Sequence, residues 1–133
     1  SVDVVPTILS ALDLAQEAKG MSGIDLMPSA RGETPLDPDR PVFGEVYPGD
    51  ASGLGDPAAD IAYRWVRRGP WKLIVPHSRN GRPAWGGYLK EAALYDVLND
   101  SEEHADVILS SENAGVVAEL RDLLDGWWRL PAR

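Results

Sequence analysis

The sequence predicts an α+β domain: a small antiparallel sheet of about four strands packed with a C-terminal helix, and preceded by an N-terminal helix. Three observations predict it. Apolar residues recur at helical spacing near the two ends, short apolar runs bounded by Pro and Gly fill the middle, and strands and helices do not alternate as a doubly wound nucleotide fold requires. The 133 residues fit one domain, which at this size buries roughly two thirds of its unfolded surface. With 44% apolar and 26% charged residues, the composition is globular and excludes wholesale disorder, collagen and coiled coil.

Val4, Val5, Ile8, Leu9 and Leu12 lie three and four apart, which predicts a helix with Asp3 as its cap and Pro6 in its first turn, ending near Gly20. Residues 19–40 hold Gly20, Gly23, Pro28, Gly32, Pro35 and Pro38, a wrapping loop with no regular element beyond a turn. Residues 41–47 predict a strand between prolines, and residues 48–60 a mobile surface loop. Residues 61–68, with Ile61, Tyr63 and Trp65 on one side, and residues 71–75 predict two more strands. Arg68-Gly69-Pro70 joins them tightly enough to force antiparallel pairing. After a loop at 76–87, residues 93–97 supply a fourth strand. From Asn99 a short helical turn is expected, capped by Asp100 or Ser101, with Glu102 and Glu103 near its positive end. The terminal helix is read from Val116, Val117, Leu120, Leu123, Leu124 and Trp127, with Asn113 as cap and Pro131 closing the run.

Charge is unevenly placed. The net charge is -8, yet residues 61–90 carry Arg64, Arg67, Arg68, Lys72, Arg79, Arg82 and Lys90 and no acidic residue, interleaved with Tyr63, Trp65, Trp71, Trp85 and Tyr88. Such a band fits either an anionic partner or salt bridges to acidic neighbours within the fold. No cysteine is present, so disulfides, thiolate zinc sites and Cys nucleophiles are excluded, and two histidines leave little for a metal cluster. No P-loop, dinucleotide fingerprint, His-Glu-x-x-His, EF-hand or Gly-x-Ser-x-Gly pattern occurs. No apolar run approaches the roughly 20 residues of a membrane span, and residues 1–13 lack the basic region of a secretory signal, so no membrane partner is expected.

Among the candidates for chemistry, His104 reads as a surface or capping residue. Asp96 with Asp100, and Glu102 with Glu103, read as turn caps rather than acid/base pairs. Trp127 and Trp128 read as helix-end core. His77 stands at the mouth of a loop with Arg79, Asn80, Arg82 and Trp85. These groups suit an anionic sugar or ester, through charge-assisted hydrogen bonds and stacking. The bland alternative is a solvated hairpin loop.

Four segments, in order, resemble the type I sulfatases of the alkaline-phosphatase-like superfamily. The stretch from Ser1 through Asp3, Pro6, Thr7, Ile8 and Leu9 to Leu12 looks like their Asp-x-x-Pro-Thr-(Ile/Leu)-Leu helix. Gly23-Ile24-Asp25-Leu26-Met27-Pro28 resembles Asp-Gly-x-Ser-Leu-x-Pro, with Ser22 and Asp25 where Asp and Ser are usual. Arg67, Gly69, Lys72, Leu73 and Ile74 follow Arg-x-Gly-x-x-Lys-(Leu/Tyr)-Ile. Leu94-Tyr95-Asp96-Val97 and the residues after it resemble Glu-Leu-Tyr-Asp-Leu-x-x-Asp-Pro-x-Glu-x-x-Asn-Leu, with Ala93, Ser101, Asp106 and Val107 replacing Glu, Pro, Asn and Leu.

The resemblance implies that residues 1–40 are the terminal helix and linker of a sulfatase catalytic domain and residues 41–133 the C-terminal subdomain. It implies formylglycine and calcium in the parent enzyme, and none in this chain, which has no Cys/Ser-x-Pro-x-Arg. No catalytic or metal role is carried onto any residue here. Expected partners are the parent's catalytic domain, a sulfate-ester substrate through the parent, and further copies of the chain through Val4, Val5, Ile8, Leu9 and Leu12. A periplasmic or secreted parent is expected. The competing readings are a stand-alone binding module for anionic glycans and a fragment of a related phosphonate or phosphate ester hydrolase; nucleic acid is disfavoured.

Overall fold

Strands β1 (Val42–Val46), β2 (Tyr63–Arg68), β3 (Trp71–Pro76) and β4 (Ala93–Asp96) pair antiparallel in chain order in a computed structural model that describes residues 2–49, 51–77 and 88–130. Two compact units divide the chain, Ser1–Asp37 and Pro38–Arg133. The sheet belongs to the second, together with helix α3 (Ala114–Trp127).

The register sorts the strand residues onto two faces. Phe43, Val66, Leu73 and Leu94 align across the four strands, as do Gly44, Trp65, Ile74 and Ala93 on the other side. The first row meets Leu120 and Leu124 of α3, and Val66, Leu73, Leu94 and Leu124 are almost wholly buried there. The second row forms its own cluster, Ala62, Tyr63, Ile74, Ala93 and Tyr95, with Trp65, Leu89 and Val97 packed against it. Both faces of β2 are therefore covered, which is why its alternation is imperfect in the sequence. Trp65 lies flat against the β1 backbone at Gly44, where a Cβ would come within 2.4 Å of the indole. Gly69 adopts φ +53 in the β2–β3 turn, a conformation that glycine enters at little cost.

The outer edge of β4 is occupied. The Leu94 N–H donates to the Asp106 carboxylate at 3.0 Å, and the Val107 N–H donates back to the Leu94 carbonyl at 2.9 Å. The helical turn expected after Asn99 is absent: Glu103 takes φ +57, which breaks any right-handed helix. Asp100 instead accepts the His104 and Ala105 N–H groups across a bare turn. Asn113 occupies the N-cap position of α3, but its side chain makes no cap bond and donates to the Val107 carbonyl. Helix α3 ends at Trp127, and Phe43 stacks on the Trp127 ring at 5.1 Å. Pro131 lies outside the described residues.

In the first unit, α1 (Val4–Ala11) is shorter than expected. Asp13 takes φ +61, the Asp13 N–H bonds to Ser10 O and the Leu14 N–H reaches back to Leu9 O at 2.8 Å. That pair of bonds is a Schellman stop with aspartate in the left-handed position usually held by glycine. A separate 3₁₀ turn then covers Ala15–Ala18, and the single-turn helix α2 spans Met27–Ala30. Asp3 does not cap α1 with its side chain as expected. Its carboxylate, buried, accepts the Ile24 N–H at 2.9 Å, while Thr7 Oγ1 donates to Asp3 O and accepts the Leu26 N–H at 3.0 Å. Gly23 sits so close to Val2 that a Cβ would be 2.1 Å from its carbonyl oxygen. The first two of the four sequence segments thus bind each other directly.

Candidate functional site

His77 follows β3 directly, and the other three residues of the expected loop site, Arg79, Arg82 and Trp85, lie outside the described residues. The His77 backbone N–H continues the β2–β3 pairing by donating to Ala62 O at 2.7 Å. Its ring is tied to β2 as well: Arg64 Nε donates to His77 Nε2 at 3.0 Å.

Arg64 is itself buried at 5% exposure, and its guanidinium is fully engaged at the end of α3. Nη2 pairs with Asp125 at 3.0 Å, and Nη1 donates to the Trp128 carbonyl and, at 3.4 Å, to the Leu124 carbonyl. The Trp128 carbonyl is among those that a helix C-terminus leaves without intrahelical partners, whereas Leu124 O also accepts the Trp128 N–H at 3.0 Å; the negative end of the helix dipole favours a cation there. Burial, followed by the neighbouring Arg64 charge, pushes the His77 ring from its usual value down to about 4, with Asp125 pulling weakly the other way. At neutral pH the ring carries no charge.

Two further cations of the basic band are paired within the fold. Arg68 pairs with Glu119 on α3, and Lys72 with Glu103 beside the Trp65 ring, whose centroid is 5.4 Å from Nζ. Arg67 and Lys90 are exposed. The two readings of the band therefore divide by residue: Arg64, Arg68 and Lys72 hold structure, while Arg67 and Lys90 face solvent.

The carboxylates near β4 serve turns. Asp96 accepts the Leu98 and Asn99 N–H groups, and the Ala105 and His104 N–H groups hold the Asp100 carboxyl below its usual range. His104 is 82% exposed. Among the described residues, no group of three or more His, Cys, Asp or Glu side chains is placed to hold a metal ion. A shallow depression of about 210 Å³ is lined by Tyr47, Leu54, Pro57 and Asp60 among others, with Asp60 bonded to Ser52. No residue of the expected site is among its described lining.

Arg64 and Asp125 were not legible as a pair in the sequence, being 61 positions apart. The one signal was a cation flanked by Tyr63, Trp65 and Val66, neighbours that predict burial.

In fold the chain is similar to one part of several solved sulfatases. A protein of Bacteroides thetaiotaomicron assigned as a sulfatase matches 94% of this chain at a TM-score of 0.65 and 25% identity. BT1596, a 2-O GAG sulfatase, matches 94% of it at 0.64 and 25% identity. BT4656, solved with its substrate D-glucosamine-2-N,6-O-disulfate, shares the fold over 96% of this chain at 0.63 and 23% identity. The chain spans 23% of the length of each. No family model matches the chain, and no curated protein does. No helix among the described residues is long and apolar enough to cross a membrane.

Proposed function

We propose that this chain is the C-terminal subdomain of a formylglycine-dependent sulfatase, carried with one helix of the adjoining catalytic domain, and that it forms a wall of the substrate pocket while the bond-breaking groups lie in the rest of the enzyme. The observation that supports it is the match of 94% of this chain to 23% of the length of solved sulfatases. An electrophilic centre can cleave many sulfate esters; choosing among them needs contacts to the alcohol part. The loop at 76–88 leaves two paired strands, a rigid base for such contacts, and His77, Arg79, Arg82 and Trp85 suit a sulfated saccharide.

The exposed stripe on α1 fits the same reading. Val4, Val5, Ile8 and Leu12 are 51%, 51%, 53% and 62% exposed, and burying such side chains is worth about 1.5–3 kcal/mol each. The catalytic domain covers this face in the intact enzyme, and a second copy of the chain covers it when the chain is alone. A periplasmic or secreted parent fits the anionic-saccharide substrate.

The test compares the purified chain with the product of the same coding sequence extended upstream, on an aryl sulfate under calcium titration. Turnover is expected from the longer protein alone, with a Cys/Ser-x-Pro-x-Arg motif in the added part. Saturable turnover by the 133 residues overturns the reading. Hydrolysis of a phosphonate ester in preference to a sulfate assigns the parent to the related hydrolases, and an upstream region without the motif leaves a glycan-binding module. In the longer protein, replacing Arg79 and Arg82 by Ala is expected to lower kcat/KM for a large anionic saccharide and spare a small aryl sulfate.

A further inference from the structure

We propose that Arg64 is a positioning residue: it holds His77, at the root of the 76–88 loop, as a neutral ring protonated on Nδ1, so that the ring offers an oxygen of the substrate one hydrogen-bond donor and no positive charge. The substrate part of this statement rests on the sulfatase reading above; the ring's state does not.

The inference follows from what each atom can do. A guanidinium only donates, and it keeps its charge at any pH a protein survives. Arg64 Nε–H is directed at His77 Nε2 at 3.0 Å, so Nε2 presents a lone pair. An imidazolium has none, and a neutral ring with an acceptor at Nε2 carries its proton on Nδ1. The arrangement does not relax by turning the guanidinium away, because Nη1 and Nη2 are committed to Leu124 O, Trp128 O and Asp125 at the end of α3. Nor does the ring drift along the strand, since the His77 backbone N–H is bound to Ala62 O. The charged groups facing the ring are Arg64 from β2 and Asp125 from α3; the cation beside it and its own burial both favour the neutral form.

A histidine fixed this way differs from a free one at a loop mouth. A free ring offers a cation below neutral pH, and either nitrogen as donor above it. His77 offers one donor throughout, which suits a hydroxyl or ester oxygen and leaves charge recognition to the arginines.

The test is a long-range proton–nitrogen-15 correlation spectrum of the labelled 133-residue chain between pH 5.5 and 7.5. His77 is expected as the neutral Nδ1–H tautomer over the whole range. An Nε2–H tautomer, or an imidazolium at pH 5.5, overturns the proposal. In Arg64→Met the fixed tautomer is expected to be lost and the His77 midpoint to rise by at least one pH unit; an unchanged spectrum overturns the role of Arg64. Should that variant not fold, Asp125→Asn keeps Arg64 on the ring and is expected to retain the tautomer, whose loss there counts against the proposal. In the longer sulfatase, His77→Gln is expected to raise KM for a sulfated saccharide more than for an aryl sulfate. The expected tautomer with equal KM values overturns the substrate reading and leaves the Arg64 assignment standing.

Discussion

The two units of the chain are held together by different physics. The sheet and α3 close on Val66, Leu73, Leu94, Leu120 and Leu124, a dry apolar core. Among the described residues of the first unit, Pro6 is the one buried apolar side chain; its order comes chiefly from the buried Asp3 carboxylate and the Thr7 hydroxyl, each capturing a backbone N–H from the segment that follows Gly23. One is a domain with its own interior. The other is a polar clasp with its apolar stripe turned outward, the arrangement expected of a surface made to be covered.

The largest effect belongs to the core. Leu94→Ala is expected to cost the second unit about 2–5 kcal/mol, read as a lower denaturant midpoint, with the exchange rates of the Ile24 and Leu26 amides unchanged. If those amides lose protection together with the core, the two units unfold as one and the contrast fails. The reciprocal change is smaller and local. Asp3→Ala leaves the Ile24 N–H without its acceptor, at a cost of about 1–3 kcal/mol, and is expected to speed exchange at Ile24 while the sheet amides hold.

Acid separates the units in a third way. The folded pKa of His77, about 4, lies below its ordinary 6.5, so between these values the unfolded chain binds more protons than the folded one. The stability that follows is fully present above pH 6.5 and is lost as pH falls toward 4. Because the ring is only half buried, screening reduces the effect to on the order of 1 kcal/mol. His77→Gln, which keeps an acceptor for Arg64, is expected to flatten the midpoint of the second unit across that window and leave the first unit's titration untouched. The smallest effect is expected at the exposed Arg68–Glu119 pair: Glu119→Gln shifts stability by less than about 1 kcal/mol, and a larger loss would mean that polar clasps matter in the second unit too.

The strands and α3 were legible because period and punctuation agree: Gly69 and Pro70 fix the turn, and the apolar rows fall in register from it. What misled was polar residues whose partners are remote in sequence. Asp3 and Asn113 have the identity and position of helix caps, yet a carboxylate or amide bonds whatever donor or acceptor the fold brings near, here Ile24 and the Val107 carbonyl. The end of α1 was overrun because Asp13 stands where a glycine would have announced the stop. Of the loop site, His77 was legible as a residue of interest and its state was not, since that depends on Arg64, Asp125 and the end of α3 meeting in space. The proposed contacts of Arg79, Arg82 and Trp85 rest on the sequence.

The segment around Asp106 and Val107 closes one side of the sheet for good. With β4 sealed on its outer side, strand addition to this sheet could begin only beyond β1, the strand at its other end. Two copies that joined there, strand against strand, would use up both margins at once and leave an eight-stranded sheet sealed at each end. Such a sheet can terminate a stack but cannot seed one, so strand pairing leads this domain to pairs rather than to fibres.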